Sequence, residues 1–372
     1  MAFRFSLRSA ALVLLLSGPT ACSDRYEVGQ MDRREQVVSG GGSANTDPNQ
    51  QAAGQAGSDS DALETCEPGK PPPALTGPFA APDVVWKRIA QILSDAELVP
   101  PSQLPDVTTY EWAGDIVNEA FARAIDDDVP APGAELFVRR FLRFPESAPE
   151  LSLDWPRKLL SNMPALDVLL LTELPSDARR VGIFTERVWL KQFPQIATRG
   201  YVFASSALGV FVPPETGDIT MRDNPRLDPL TSRRQAELEH STNDACAACH
   251  RLIDPLGFSL EHFDGLGNYQ ETDGSKPVDS SGTYTVPGTT HEIVFDDNVN
   301  LSQQLVYVCG ANLGMASSYL TMALERSHVP SEELAATHDA NLTRFQQAFV
   351  GNGRSYRALV TAWAQSPIVL SP

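Results

Sequence analysis

Residues 246–269 read CAACHRLIDPLGFSLEHFDGLGNY, and they are the most informative stretch of the sequence. It opens with Cys246-Ala247-Ala248-Cys249-His250, two thiols and an imidazole on what is predicted to be adjacent faces of one helical turn. Pro255 and Gly257 come next, and they predict that this helix ends there in a turn. Phe258, Leu260 and Phe263 then supply apolar side chains that can pack on a flat cofactor.

Cys-x-x-Cys-His is the attachment signature of c-type haem. The thiols of Cys246 and Cys249 can add to the two vinyl groups of one haem, and His250 can then bind the iron. Axial ligands, hydrogen bonds to those ligands and burial tune such an iron. The sequence therefore predicts one haem c, bound covalently by Cys246 and Cys249, ligated by His250 and contacted by Phe258 and Phe263.

Other uses of the two cysteines stay open on the residues alone. A thioredoxin-like redox pair is normally found near a βαβ pattern, and the sequence shows none. A structural zinc site needs a second Cys or His pair at ligand spacing, and none follows the motif. A disulfide across the short loop is a further alternative. Glu261 and Asp264 are interpreted as turn acceptors, or alternatively as groups that tune the iron.

The stretch from Cys246 to Gly282 resembles the pattern CxxCH-x-x-x-DP-x-GF-x-x-E-x-FD-x-x-G of the planctomycete-type cytochrome c proteins. Arg199-Gly200 and Pro213-Pro214 upstream are also similar to that family. The resemblance covers about residues 130–372. It implies a secreted bacterial haem protein built of domains of unknown function. For most members of the family the substrate is not established.

Small cytochromes c commonly use a methionine downstream of the motif as the second axial ligand, which raises the reduction potential. Met315 is the predicted ligand, because its small neighbours would allow close approach to the macrocycle. A core methionine is the alternative interpretation of the same residue. Met322, His262 and His291 are further candidates, and an open sixth position is the remaining alternative.

The first 22 residues predict a lipoprotein signal peptide. Arg4 and Arg8 precede an apolar run around residues 9–18, which is too short to span a bilayer. Pro19-Thr20-Ala21-Cys22 resembles a lipobox, so Cys22 is the predicted lipidation site. Ordinary cleavage near Ala21 is the alternative. Residues 23–82 are polar and predict a flexible, disordered tether.

The remainder of the chain predicts a mostly α fold. Apolar residues recur at helical spacing, and the one plausible β-hairpin lies around Gly282 to Phe295. Three segments are predicted, namely a helical domain at 83–199, the haem-binding domain at 200–300 and a C-terminal helical domain at 301–372. The last is expected to hold helices at about 301–326, 331–350 and 355–366.

The formal net charge of −18 argues against a nucleic-acid partner, because phosphate binding requires clustered Lys and Arg. The expected partners are a redox protein and, through the N-terminal lipid only, the membrane. Cys66 and Cys309 remain after the motif and Cys22, and export permits a disulfide between them. A buried free thiol at Cys309 is the alternative.

The predicted function is that of a mono-haem c-type cytochrome lipoprotein, active in electron transfer at the outer membrane and facing the periplasm or the exterior. Electron transfer is favoured over catalysis. The alternatives are a haem enzyme that acts on peroxide or another small oxidant, and a structural lipoprotein in which haem is a folding element.

Overall fold

The computed structural model describes residues 68–70, 76–93, 104–125, 154–173, 179–210, 212, 232–241, 244–326 and 331–372. All described residues belong to one compact unit, Leu63–Pro372. The predicted signal peptide, Cys22 and Cys66 lie outside the described residues. Cys246 and Met322 lie in helices whose backbone is described at those positions, but their side chains are not.

The described fold is mostly helical with two small antiparallel strand pairs, which confirms the predicted fold class. Its helices are α1 (Pro82–Leu93), α2 (Tyr110–Ile125), α3 (Asp154–Leu160), α4 (Ala165–Leu171), α5 (Arg187–Gln192), α6 (Ile196–Ala207), α7 (Arg233–His240), α8 (Asp244–Phe258), α9 (Asn298–Leu305), α10 (Cys309–Arg326), α11 (Ser331–Gly351), α12 (Tyr356–Ala364) and α13 (Pro367–Leu370). The strands are β1 (Thr272–Asp273), β2 (Lys276–Pro277), β3 (Gly282–Thr285) and β4 (Glu292–Phe295).

The first helix shows how the apolar spacing becomes structure. Pro82 occupies the first helical position, where its missing N–H costs nothing, and Asp83 places a negative charge in the first turn. Val85 and Ile89, four residues apart, are both fully buried. The helical spacing of apolar residues at the start of this segment is therefore present in α1, whose apolar stripe faces the core.

The predicted hairpin is confirmed as the pair β3 and β4. Gly282 is opposite Phe295 and Tyr284 is opposite Ile293 in an antiparallel register. Tyr284, Ile293 and Phe295 are buried, whereas Val294 is exposed, as the two-residue period requires. The buried face of the hairpin packs against α8 and α9.

One predicted helix is interrupted. The segment expected to be one helix over 301–326 is α9 and α10, separated at residues 306–308. The Asn312 side chain donates hydrogen bonds to the carbonyls of Val306 and Val308, at 2.9 and 3.0 Å, and so satisfies acceptors that the break exposes. Elsewhere Pro164 lies between α3 and α4, in agreement with the helix-breaking effect of proline.

One hydrophobic cluster contains residues from Ala80 to Leu370 and thus draws on all three predicted segments. The crossing of α6 and α8 is the most extensive contact between helices in the described residues. α10 packs on α6 from another direction, where Ser318 Oγ donates to the carbonyls of Ser205 and Ser206 at 2.7 Å. In the described part of the chain, no helix is both long enough and apolar enough to span a bilayer.

The crossing of α6 and α8 depends on two glycines. An added Cβ at Gly200 would overlap the carbonyl oxygen of Ile253 and lie 2.6 Å from its carbonyl carbon. An added Cβ at Gly257 would overlap the carbonyl oxygen of Ile196 in the same way. The two helix backbones are therefore in direct contact, and only residues without a side chain fit at these points.

Candidate haem site

The Cys-x-x-Cys-His motif lies in the first half of α8, as predicted, but the helix does not end at Pro255. It continues to Phe258 with Pro255 inside it, so the expectation of a turn at Pro255 and Gly257 was wrong. The physical reason is tertiary packing, because Gly257 is held against the backbone of α6 and this contact favours continuation of α8. The turn comes after Phe258, where Leu260 N donates to the Gly257 carbonyl.

The His250 side chain is mostly buried and is held by two carboxylates. Its Nδ1 lies 2.9 Å from Oδ1 of Asp254, one turn further along α8, and 3.3 Å from Oε1 of Glu237 on α7. The hydrogen bonds to Asp254 and then to Glu237 outweigh burial and raise the pKa of His250 to about 10. The imidazole nitrogen of His250 and the carboxylate oxygens of Asp254 and Glu237 thus lie within 4.8 Å of one another.

Neither carboxylate was predicted as a site residue. Asp254 is part of the Asp-Pro step of the family pattern, and Glu237 lies upstream of the motif. The spacing of four residues between His250 and Asp254 places both on one face of a helix, so this contact could have been predicted. Glu237 lies on a different helix, and residues 242–243 between the two helices are outside the described chain. Nothing in the sequence pairs Glu237 with the motif.

Two arginines fix α7 against the segment that follows the motif helix. The Arg233 guanidinium donates to the Glu261 carbonyl at 3.2 Å, and its backbone N–H donates to Oδ2 of Asp273 at 2.6 Å. Arg234 donates to the carbonyls of Asp279 and Ser281, both at 2.8 Å. These contacts tie α7 to the chain on either side of β1 and β2.

Arg199 explains why an Arg-Gly pair is present in α6. It is fully buried, and its guanidinium donates to the carbonyls of Phe193, Phe263 and Asp264 at 2.7–2.8 Å. Burial, and then the positive charge of Arg233, lowers the pKa of Arg199 to about 9. The side chain therefore fastens the turn after α8 to α6, next to the glycine that allows the close crossing.

The two phenylalanines predicted to contact haem are buried, and each has a guanidinium over its ring. Arg234 lies 4.4 Å above the ring centre of Phe258, and Arg180 lies 4.7 Å above that of Phe263. Tyr269 also meets the Phe263 ring edge-on. These protein contacts account for part of each ring, and the predicted haem contacts stay predictions.

Of the two acidic residues after the motif, Asp264 is a turn acceptor, in agreement with the first of its two interpretations. Its carboxylate accepts from the N–H groups of Leu266 and Asn268, both at 2.8 Å. Glu261 is different, since only 1% of its surface is exposed and its Oε1 lies 3.5 Å from a nitrogen of Arg233. Burial, against the attraction of Arg233, raises the pKa of Glu261 to about 7.

The raised pKa of Glu261 predicts a specific pH dependence of stability. The folded chain keeps this proton up to about pH 7, whereas the unfolded chain releases it near its ordinary pKa of 4.5. In that window the unfolded state binds fewer protons, so the free energy of unfolding falls as pH rises. The contribution to that fall is about 3 kcal/mol, at 1.36 kcal/mol for each pKa unit.

Glu261→Gln removes the titration of this side chain. The other carboxylates contribute equally to the pH dependence of the two proteins, so their contributions cancel in the comparison. We expect wild type to lose about 3 kcal/mol more than the variant between about pH 4.5 and about pH 8, measured by denaturant unfolding. Parallel pH profiles for the two proteins would show that Glu261 does not titrate in this way.

The candidate sixth ligands lie in different surroundings. Met315, on α10, is fully buried within the hydrophobic cluster. This is the location expected if Met315 is a core methionine. His262 Nδ1 lies 2.9 Å from the Gln270 carbonyl, and its ring stacks on Tyr269. His291 is exposed beside the β3–β4 hairpin. Iron ligation by Met315 stays a prediction.

Cys309, at the start of α10, is disulfide-bonded, so the alternative of a buried free thiol was wrong. The partner is a cysteine whose side chain is not described. A bond to Cys66 stays a prediction.

The motif residues fit a covalently attached haem. Cys249 is partly buried, His250 is mostly buried and Ala248 is exposed, whereas the next turns of α8, from Ile253 onward, are almost entirely buried. The described protein thus leaves the motif face of α8 incompletely covered. Cys249 offers a thiol for attachment, and the carboxylates at Nδ1 of His250 provide the acceptor to which an iron-ligating histidine usually donates its other ring N–H.

Comparison with known families supports the resemblance over residues 180–273, a part of the predicted stretch of about 130–372. Residues 180–273 match the family model PSCyt3, described as a protein of unknown function (DUF1588) and belonging to the planctomycete cytochrome c-type domain families. The matched segment begins at Arg180 and includes Arg199, the motif helix and Glu261. Comparisons with curated proteins and with solved structures found no match.

Proposed function

We propose that the protein is a mono-haem c-type cytochrome that transfers electrons at the cell envelope. The observation that carries the proposal is the environment of His250, which lies on the same helix as Cys246 and Cys249. Its Nδ1 contacts Asp254 of that helix and Glu237 of α7. A carboxylate on one ring nitrogen orients a histidine whose other nitrogen binds a metal. The match to a cytochrome c-type family over residues 180–273 supports the same proposal.

In this proposal, Cys246 and Cys249 hold the haem covalently and His250 supplies the axial nitrogen. The haem, when bound, supplies an iron that exchanges one electron. The chain itself contributes the rigid frame, since Arg199, Arg233 and the α6–α8 crossing fix the motif helix and its carboxylates. A redox protein would be the partner, and nucleic acid would not.

The two carboxylates also favour a second candidate, a haem enzyme that acts on peroxide or another small oxidant. Negative charge at Nδ1 makes the imidazole a more basic ligand, a property useful for reactions at an open iron. The absorption spectrum distinguishes the candidates. Six-coordinate, low-spin iron supports electron transfer, whereas five-coordinate, high-spin iron supports the enzyme.

The haem proposal is tested by haem staining of the denatured protein on a gel, after expression in cells that attach haem c. We expect the band of this protein to stain, because thioether bonds survive denaturation. A known cytochrome c from the same cells provides the positive control. An unstained band beside a stained control would overturn the proposal.

We also propose that Cys22 is lipidated and that the lipid holds the protein at the outer membrane. The apolar run before Cys22 and the lipobox-like residues 19–22 support this. Cys22→Ala should move the protein from the membrane fraction to the soluble fraction. A wild-type protein already found in the soluble periplasmic fraction would contradict lipidation.

A further inference from the structure

The Nδ1 atom of His250 faces two carboxylates although it carries at most one proton. The contact between His250 and Asp254 follows from the helical repeat, because the two residues are four apart on the same helix. The contact between His250 and Glu237 does not follow from it, because Glu237 lies on a separate helix, α7. Hydrogen bonding to one carboxylate is sufficient to orient an imidazole, so the second requires its own explanation.

The position of Glu237 is built by several contacts along α7. Ser232 caps the helix by accepting from Gln235 N–H, and Arg233 and Arg234 anchor the first turn to residues beyond α8. Glu237 follows one turn after Arg233 and faces inward, with 13% of its side chain exposed. Glu239, two residues later, is exposed and accepts from Gln235 Nε2. The helix thus presents one acidic residue to the motif and another to solvent.

We propose that Glu237 is a positioning residue which, together with Asp254, lowers the reduction potential of the haem iron through His250. This inference rests on the proposed function. Two partly buried negative charges beside the axial imidazole stabilise the ferric state, which carries one more positive charge than the ferrous state. They are effective because side chains shielded from water interact more strongly than exposed ones.

The test is a redox titration of the full-length, haem-loaded protein and its variants. Glu237→Gln should raise the midpoint potential, and Asp254→Asn should raise it as well. Glu239→Gln is the matched control, since it removes the same charge from the same helix two residues away. Its potential should stay at the wild-type value.

Glu237→Asp provides a second variant that keeps the charge but draws it back by one methylene. Its potential should lie between those of wild type and Glu237→Gln. A Glu237→Gln protein whose potential equals that of Glu239→Gln would overturn the inference while leaving the proposed function intact. Absence of covalent haem from the wild-type protein would overturn both.

Discussion

Gly200→Ala should destabilise the protein by about 3 kcal/mol, the upper end of the usual cost of overpacking a core. The added methyl group would meet the carbonyl of Ile253, which belongs to the backbone of α8 and cannot rotate away. The two helices would have to separate, and the contacts of Arg199 with the turn after α8 would be disturbed. Intrinsic helix propensity acts in the opposite direction, since alanine is favoured over glycine by about 1 kcal/mol.

Gly351→Ala is the matched control for this substitution. Gly351 also lies in a helix, the last residue of α11, but an added Cβ there has nothing within 4 Å. We expect that variant to be neutral or slightly more stable in denaturant unfolding. Equal free energies of unfolding for Gly200→Ala and Gly351→Ala would show that the α6–α8 crossing is looser than described.

Loss of both motif cysteines should abolish covalent haem. A Cys246→Ser, Cys249→Ser double variant has no thiol that can add to a vinyl group, so its denatured band should not stain for haem. Either single variant should lose covalent haem in whole or in part, because each removes one of the two attachment points. Ala248→Ser is the control, since it changes an exposed residue inside the motif and keeps both thiols.

These variants also separate the haem proposal from its alternatives. A redox-active or structural cysteine pair would be lost in the double variant without any change in haem staining. Staining that persists in the double variant would mean that haem is attached elsewhere or that the stain reports another protein. A stained Ala248→Ser band beside an unstained double-variant band is the expected result.

Local patterns in the sequence predicted most of the fold. The helical spacing of apolar residues located α1, and the turn-rich stretch around Gly282 to Phe295 located the hairpin of β3 and β4. The prediction failed where tertiary contacts decide the outcome. Pro255 is tolerated inside α8 because Gly257 packs on α6, and the break at residues 306–308 is stabilised by the Asn312 side chain. Neither contact can be inferred from neighbours in the sequence.

The candidate site likewise contains residues that local patterns predict and one residue that only tertiary packing places there. His250 and the two cysteines follow from a local motif, and Asp254 follows from the helical repeat. To predict Glu237, one would have to know how α7 packs on α8. That packing depends on Arg233 and Arg234, whose partners lie 28 to 47 residues further along the chain. Charge and composition carry no information about such a contact, so only the structure could identify Glu237.

The most direct test of covalent attachment is the mass of the tryptic peptide that spans residues 235–251. Cleavage after Arg234 and Arg251 releases the complete motif in one piece, and processing of the N-terminus does not affect its mass. From protein made in cells that attach haem c, we expect this peptide to carry the mass of one haem and its visible absorption. A peptide with the unmodified mass, and with both thiols open to alkylation, would contradict a haem at Cys246 and Cys249.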